Sequence, residues 1–266
     1  MQNREMGDLA GSLRVQGRVI YALLMREVLT RYGRHNIGFL WLFVEPMLFT
    51  LGVAAIWTAL NSVHGSNLPI IAFAITGYSS ILLWRNMTFR CIGSIQPNLS
   101  LLYHRNIKPI DIYISRLILE MVGATTSLIV LCVVFGFFSS GITWPENLAE
   151  LIGGWMLLAW FGMALAVLLG SLSEDFEFIE KLWHPAQYLL VPLSGAAFQV
   201  DSLPPRVQAL ALMLPTVNGL EIVREGFFGS KFHAHYDVGY TIWFNAIMTV
   251  VGLLLQRKMS REVTPE

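Results

Sequence analysis

Six apolar stretches alternate with short polar connections and together use nearly the whole chain. They run over 38–61, 69–89, 113–138, 149–172, 182–200 and 240–256. Each is near the ~20 residues that a helix needs to cross ~30 Å of hydrocarbon. The pattern predicts an all-α integral membrane fold with six transmembrane helices in a single domain, 1–266. Within it, 1–37 is a cytoplasmic N-terminal segment, 38–256 the six-span region and 257–266 a cytoplasmic tail. The first 37 residues are polar and basic, without the apolar core or small-residue cleavage site of a signal peptide. The first span is therefore expected to be the uncleaved insertion signal.

Two polar regions predict shorter helices. Over 13–34, Ile20, Leu23, Leu24 and Val28 fall on one arc at 100° per residue, and Arg14, Arg18 and Arg26 on another. Glu27 intrudes on the apolar arc. This segment reads as an interfacial helix, resting on anionic headgroups, docking onto a partner, or both. Over 201–239, Pro205–Leu214 and Val217–Phe227 read as two helical pieces broken by Pro215 and flanked by Gly226 and Gly229. Both are too short to span, so they are expected to be re-entrant or interfacial helices packed on the fifth and sixth spans. A surface loop with two amphipathic turns is the alternative.

The inner connections carry their own signals. Pro97 and Pro109 bracket a stretch with room for two or three helical turns. Residues 171–181 read as a short loop that interleaves Glu174, Asp175, Glu177 and Glu180 with Phe176, Phe178 and Ile179. An acidic segment is repelled by an anionic inner leaflet, and aromatic anchors with a charged rim suit a protein contact. A solvated loop is the other reading.

Charge orients the spans. With the N-terminus inside, 15 of the 18 Lys+Arg fall on inner segments, and only Arg206, Arg224 and Lys231 lie outside. The positive-inside rule then places both termini in the cytoplasm. Composition agrees, with 55% hydrophobic and 14% charged residues against about 25% charged in soluble domains. Net charge is zero, which offers nothing to nucleic acid. Cys91 and Cys132 supply neither a disulfide framework nor metal-ligand spacing.

Catalytic signatures are absent. No G-x-x-x-x-G-K-[ST] occurs, and the nearest text, GFFGSK at 226–231, lacks its spacing. No H-E-x-x-H, G-x-S-x-G or C-x-x-C is present, and His233 with His235 makes a weak metal signal. The chain is therefore not expected to bind ATP through a P-loop, and no catalytic residue, metal or cofactor of its own is expected. Ionisable groups inside spans are functional candidates by default. Glu45 precedes Pro46 in the first span, Glu120 lies one turn into the third, and Arg85 sits near the inner end of the second. Arg116 and Glu120, four apart, could simply pair on one helix face. Trp41, Phe43, Trp57, Trp84, Trp155, Trp160, Trp183 and Trp243 lie mostly near span ends, as an interfacial belt would, with stacking on a sugar ring the alternative for some.

Three stretches resemble a known family. TRYGRHNIGFLWLFVEPMLF (30–49) is similar to the start of the transmembrane subunit of ABC-2 type exporters. LYHRNIKPIDIYISRLILE (102–120) resembles that family's basic loop before span three, and PTVNGLEIVREGFFGS (215–230) its outer segment before the last span. The subgroup it most resembles exports capsular polysaccharide across the bacterial inner membrane; exporters of O-antigen, teichoic acid, lipids or drugs share the architecture. A membrane enzyme acting on lipid-linked sugars is a third reading, with a poor pattern of convergent carboxylates or histidines.

The resemblance implies a homodimer on two copies of a separate ATPase, which would hold the ATP and Mg. A periplasmic adaptor and an anionic, glycolipid-anchored polysaccharide are the further partners implied, alongside membrane lipids. By position, Arg26, Pro97, Tyr103, Arg105, Lys108, Asp111, Glu174, Asp175, Phe176 and Glu177 match the parts that receive the ATPase's motion. Arg31, Arg34, His35, Trp41, Glu45, Arg85 and Arg90 are the expected substrate path, because arginine and aromatic groups near the inner mouth suit phosphate and sugar.

Overall fold

A computed structural model describes residues 2–33, 40–59, 68–103, 107–138 and 144–263. Every regular element among them is helical. In chain order these are α1 (Gln2–Tyr32), α2 (Trp41–Ala59), α3 (Ile70–Cys91), α4 (Leu99–Leu102), α5 (Pro109–Phe138), α6 (Leu148–Asp175), α7 (Glu177–Leu190), α8 (Pro205–Ala211), α9 (Pro215–Phe228) and α10 (Val238–Val263).

Four of the described helices, α2, α5, α6 and α10, are long and apolar enough to cross a membrane. Helix α3 covers the second predicted stretch with 22 residues but carries Thr76, Ser79, Ser80, Arg85, Asn86, Thr88 and Arg90. It tolerates them because it is central. Packed by α2, α5, α6 and α9, it buries most of its length, so its polar groups meet protein and not lipid. Thr76, Ser80 and Thr88 also return their hydroxyls to backbone carbonyls one turn back, at 2.7–3.1 Å.

The fifth predicted stretch differs more. Its helix, α7, begins at Glu177 and ends after 14 residues, a length of about 21 Å at 1.5 Å per residue. Pro192 opens a 3-10 turn, and Gly195 at φ 87° reverses the chain. The loop expected over 171–181 is not a loop. Helix α6 runs to Asp175, Phe176 alone adopts extended backbone (φ −136°, ψ 98°), and α7 starts at the next residue. The predicted pieces at 205–214 and 217–227 are both helices, α8 and α9. Their packing departs from expectation: α9 lies chiefly against α6, the fourth stretch, with α10 and α3 beside it, rather than against the fifth.

Small residues make that contact close. A Cβ on Gly154 of α6 would sit 2.7 Å from the Val223 amide nitrogen and 2.9 Å from the Gly219 carbonyl oxygen of α9. Gly226 meets the Leu151 backbone just as tightly. The Asn147 amide, whose own side chain caps α6 through Ala149 and Glu150, donates to the Gly226 carbonyl at 2.9 Å. Backbones this close pack through many weak contacts, the usual source of helix association in lipid.

The neighbouring glycines separate packing from propensity. Gly153 faces open space, so Gly153→Ala should leave stability unchanged or raise it by up to about 1 kcal/mol. Gly154→Ala should lower it by about 1–3 kcal/mol through overpacking. Thermal unfolding in nanodiscs measures both; equal effects would mean that the α6–α9 seam is not close-packed.

Candidate functional site

Two charged clusters stand at opposite ends of α3. The first joins α1, α3 and α5. Arg31 of α1 donates to Glu120 of α5 and to Glu27 one turn back on α1, at 2.8 Å for the latter. Arg90 of α3 reaches Glu120 through Nε at 3.3 Å, and Arg116 of α5 reaches Glu27 at 3.2 Å. Arg116 also donates to the Arg90 carbonyl at 2.6 Å. Three arginines and two glutamates thus form one network, with Glu120 only 8% exposed. Burial disfavours the Arg31 charge, but Glu120 and Glu27 outweigh it and hold the guanidinium above its ordinary value.

The network explains the imperfect helical pattern at the N-terminus. Glu27 falls on the apolar arc because that arc docks onto α5, where Arg116 awaits it. Gln16 adds a bond to Asp111 at 2.6 Å, and Arg26 one to Asn98 at 2.6 Å. The pairs ascend together (Gln16 with Asp111, Glu27 with Arg116, Arg31 with Glu120), so α1 and α5 run in the same direction. The i,i+4 pair expected between Arg116 and Glu120 is replaced by these cross-helix pairs.

The sequence-predicted coupling residues divide into two groups. Asp111 is buried and caps the start of α5, accepting from the Lys108 amide at 2.9 Å. Glu174 accepts from the Ile95 amide at 3.0 Å, and Asp175 lies 3.6 Å from Lys258. These hold the connections together. Pro97, Tyr103, Lys108, Phe176 and Glu177 are exposed. Tyr103 is 78% and Phe176 59% exposed, large aromatics with little of the chain to cover them. Arg105 lies outside the described residues.

Of the residues the sequence suggested for a substrate path, the structure brings Arg31 and Arg90 together on Glu120. Arg85 is held separately, its guanidinium 5.3 Å from the Phe49 ring centroid and 5.6 Å from that of Tyr188. Trp41 opens α2, half exposed, and Glu45 is exposed one turn on. Arg34 and His35 lie outside the described residues. The tryptophans do not form a simple belt. Trp84, Trp155 and Trp183 are buried in protein, and Trp155 donates to Thr125 at 3.0 Å, while Trp41 and Trp243 stay exposed.

The second cluster is centred on α9. Arg224, fully buried, donates to the carbonyls of Gly195 at 2.9 Å and of Ala196 and Phe198 at 2.7 Å. Its guanidinium lies 3.7 Å from the Phe73 ring centroid of α3. Burial pulls its pKa below the ordinary arginine value, with Glu221 opposing. Glu221 accepts from the His235 amide at 3.1 Å and sits 3.5 Å from the Val200 amide. Asn218 accepts from the Asp237 amide and donates to the Leu212 carbonyl, both at 2.7 Å. Three polar side chains on one face of α9 therefore satisfy the irregular backbone on both sides of it.

Sequence reasoning placed Arg224 among the loop charges and did not single out Glu221 or Asn218. The signal was present in NGLEIVREGFF, where each ionisable group sits in apolar text that gives it no water. Glu27 was noticed only as a flaw in an amphipathic pattern.

Comparison with known proteins places this architecture. Residues 18–228 match the model of the ABC-2 type transporter family. The chain is 44% identical over 255 residues, 96% of each chain, to the capsule polysaccharide export inner-membrane protein CtrC of Neisseria meningitidis serogroup B. It is 39% identical over the full length of both chains to the capsule polysaccharide export inner-membrane protein BexB of Haemophilus influenzae. The polysialic acid transport protein KpsM of Escherichia coli is 27% identical over 91% of this chain and 94% of its own. An end-to-end match at this level, on an all-helical chain with long apolar helices, settles the assignment: the protein belongs to the ABC-2 type transporter family.

Proposed function

We propose that this chain is the permease subunit of an ATP-driven exporter that moves lipid-anchored capsular polysaccharide outward across the bacterial inner membrane. The observation that carries the reading is the end-to-end 44% identity to a capsule polysaccharide export inner-membrane protein. The permease crosses the membrane six times, with both termini in the cytoplasm and the 201–239 segment outside. In this topology α3 is the span that protein shields more than lipid, which fits its polarity, while α7 is short and buries only Trp183 and Gln187.

The permease works as a homodimer on two copies of a separate ATPase, which supplies ATP and Mg, and hands its acidic cargo to a periplasmic adaptor. The exposed groups Pro97, Tyr103, Lys108, Phe176 and Glu177, with Arg105, receive the ATPase. Arg26, Asp111, Glu174 and Asp175 hold the receiving connections in place. The buried network then links α1, the connections and the spans, so that α1 cannot shift without moving α3 and α5. Arg34, His35, Trp41, Glu45, Arg85 and Arg90 line the mouth of the substrate path, with Arg31 positioning Glu120 and, through it, Arg90.

Expression in an encapsulated host that lacks its own permease should restore surface polysaccharide. Unchanged absence, with the chain inserted and bound to the host ATPase, would refute the cargo assignment. Phe176→Asp together with Tyr103→Ala should cut ATPase co-purification at least about tenfold, because buried aromatic anchors carry most interface energy, while leaving membrane insertion intact. Undiminished co-purification would remove both residues from the interface.

A further inference from the structure

Where the C-terminal end of α3 meets α5 and α7, the chain forms a partly open cavity of about 210 Å³. Phe89, Arg90, Arg116, Glu180, Trp183 and His184 line it. Only Arg90 of these was singled out above for the substrate path, and the chemistry of the group is more specific than a basic mouth. Arg90 spends its Nε on Glu120 at 3.3 Å, which leaves the two terminal nitrogens of its fork. Its guanidinium lies 5.8 Å from the Phe89 ring centroid. Trp183 is only 8% exposed, and its indole Nε1 is buried without a hydrogen-bond partner. A buried donor left unpaired is costly, and a ligand acceptor would relieve it. Glu180 contributes an acceptor; a Cβ on Gly93, itself at φ 59°, would be 3.1 Å from its Oε2. Phe89 and His184 meet edge to face at 5.4 Å and supply aromatic surface.

Each simpler ligand leaves something unmet. A lipid tail would strand the Arg90 fork and the Trp183 donor. A phosphodiester would satisfy both but would face the Glu180 carboxylate with no hydroxyl to donate to it. A sugar ring bearing an acid group meets all of them. Its acid takes the Arg90 fork, one oxygen accepts from Trp183 Nε1, a hydroxyl donates to Glu180, and its apolar C–H face rests on aromatic rings. One turn along the same two helices, Arg85 lies between Tyr188 and Phe49, so a second residue of the chain would next meet the same kind of surface.

We propose that this cavity seats one acidic pyranose residue of the cargo as it enters the permease. The proposal rests on the export reading above and names the substrate chemistry of its entry point. It is tested in cells that make an acidic capsule and carry this chain as their sole permease. Phe89 is replaced by the photocrosslinker p-benzoylphenylalanine, with His184 as the alternative position should the first variant fail to insert. After irradiation the purified chain is hydrolysed and its acidic sugar measured. Adducts should exceed those from the same crosslinker at Ile247, exposed on α10, and should fall roughly fivefold with Trp183→Phe, as loss of one hydrogen bond implies. Adducts of phospholipid without sugar would overturn the proposal in favour of a headgroup site. Sugar adducts no higher than at Ile247, in cells that still export, would overturn it while leaving the export reading intact. Failure of the unsubstituted chain to support export would overturn both.

Discussion

A charge taken out of water needs an opposite charge or a full set of hydrogen bonds, and that requirement organises both ends of this bundle. At one end of α3, Glu120 and Glu27 answer three arginines and draw α1 onto the spans. At the other, Arg224 answers three carbonyls and draws the chain reversal at 195–198 onto α9 and Phe73. Between them Thr76, Ser80 and Thr88 satisfy their hydroxyls on the preceding turn. Apolar matter packs everywhere in such a chain and distinguishes little. The charges decide which helix lies against which.

The same constraint suggests why the network lies where it does. Removing one member of a buried ion pair costs about 3–5 kcal/mol, far more than an exposed pair is worth. A helix tied down by such pairs moves with its partners as one body. Tyr103 and Phe176, by contrast, stand exposed on connections whose backbones are held by Asn98, Asp111 and Glu174.

Much of the fold was legible in the sequence because lipid imposes long apolar runs. Five of the six stretches lie on helices whose ends fall within a few residues of expectation at most boundaries, and Pro205 marked the start of α8, whereas Pro215, read as a break before a piece starting at Val217, is the first residue of α9. The fifth stretch misled because hydropathy does not register chain direction. Val191–Val200 is apolar yet turns on Pro192 and Gly195. The site was less legible for a related reason. Periodicity tells which residues share a helix face but not which helix meets that face. Arg116 and Glu120 read as partners from their spacing, while their actual partners lie 89 residues apart in sequence for Arg31 with Glu120. Family resemblance supplied what spacing lacked about architecture, and geometry supplied the pairing.

The central claim is that a buried charge network fixes α1 to the spans, and a double-mutant cycle between Arg31 and Glu120 addresses it directly. Arg31→Met, Glu120→Met and the double variant would be compared by thermal unfolding in nanodiscs. Each single change strands a partner, so the double variant should cost less than the sum of the two by about 1–3 kcal/mol. Additivity within about 0.5 kcal/mol would show that the two charges do not depend on each other, and would contradict the account.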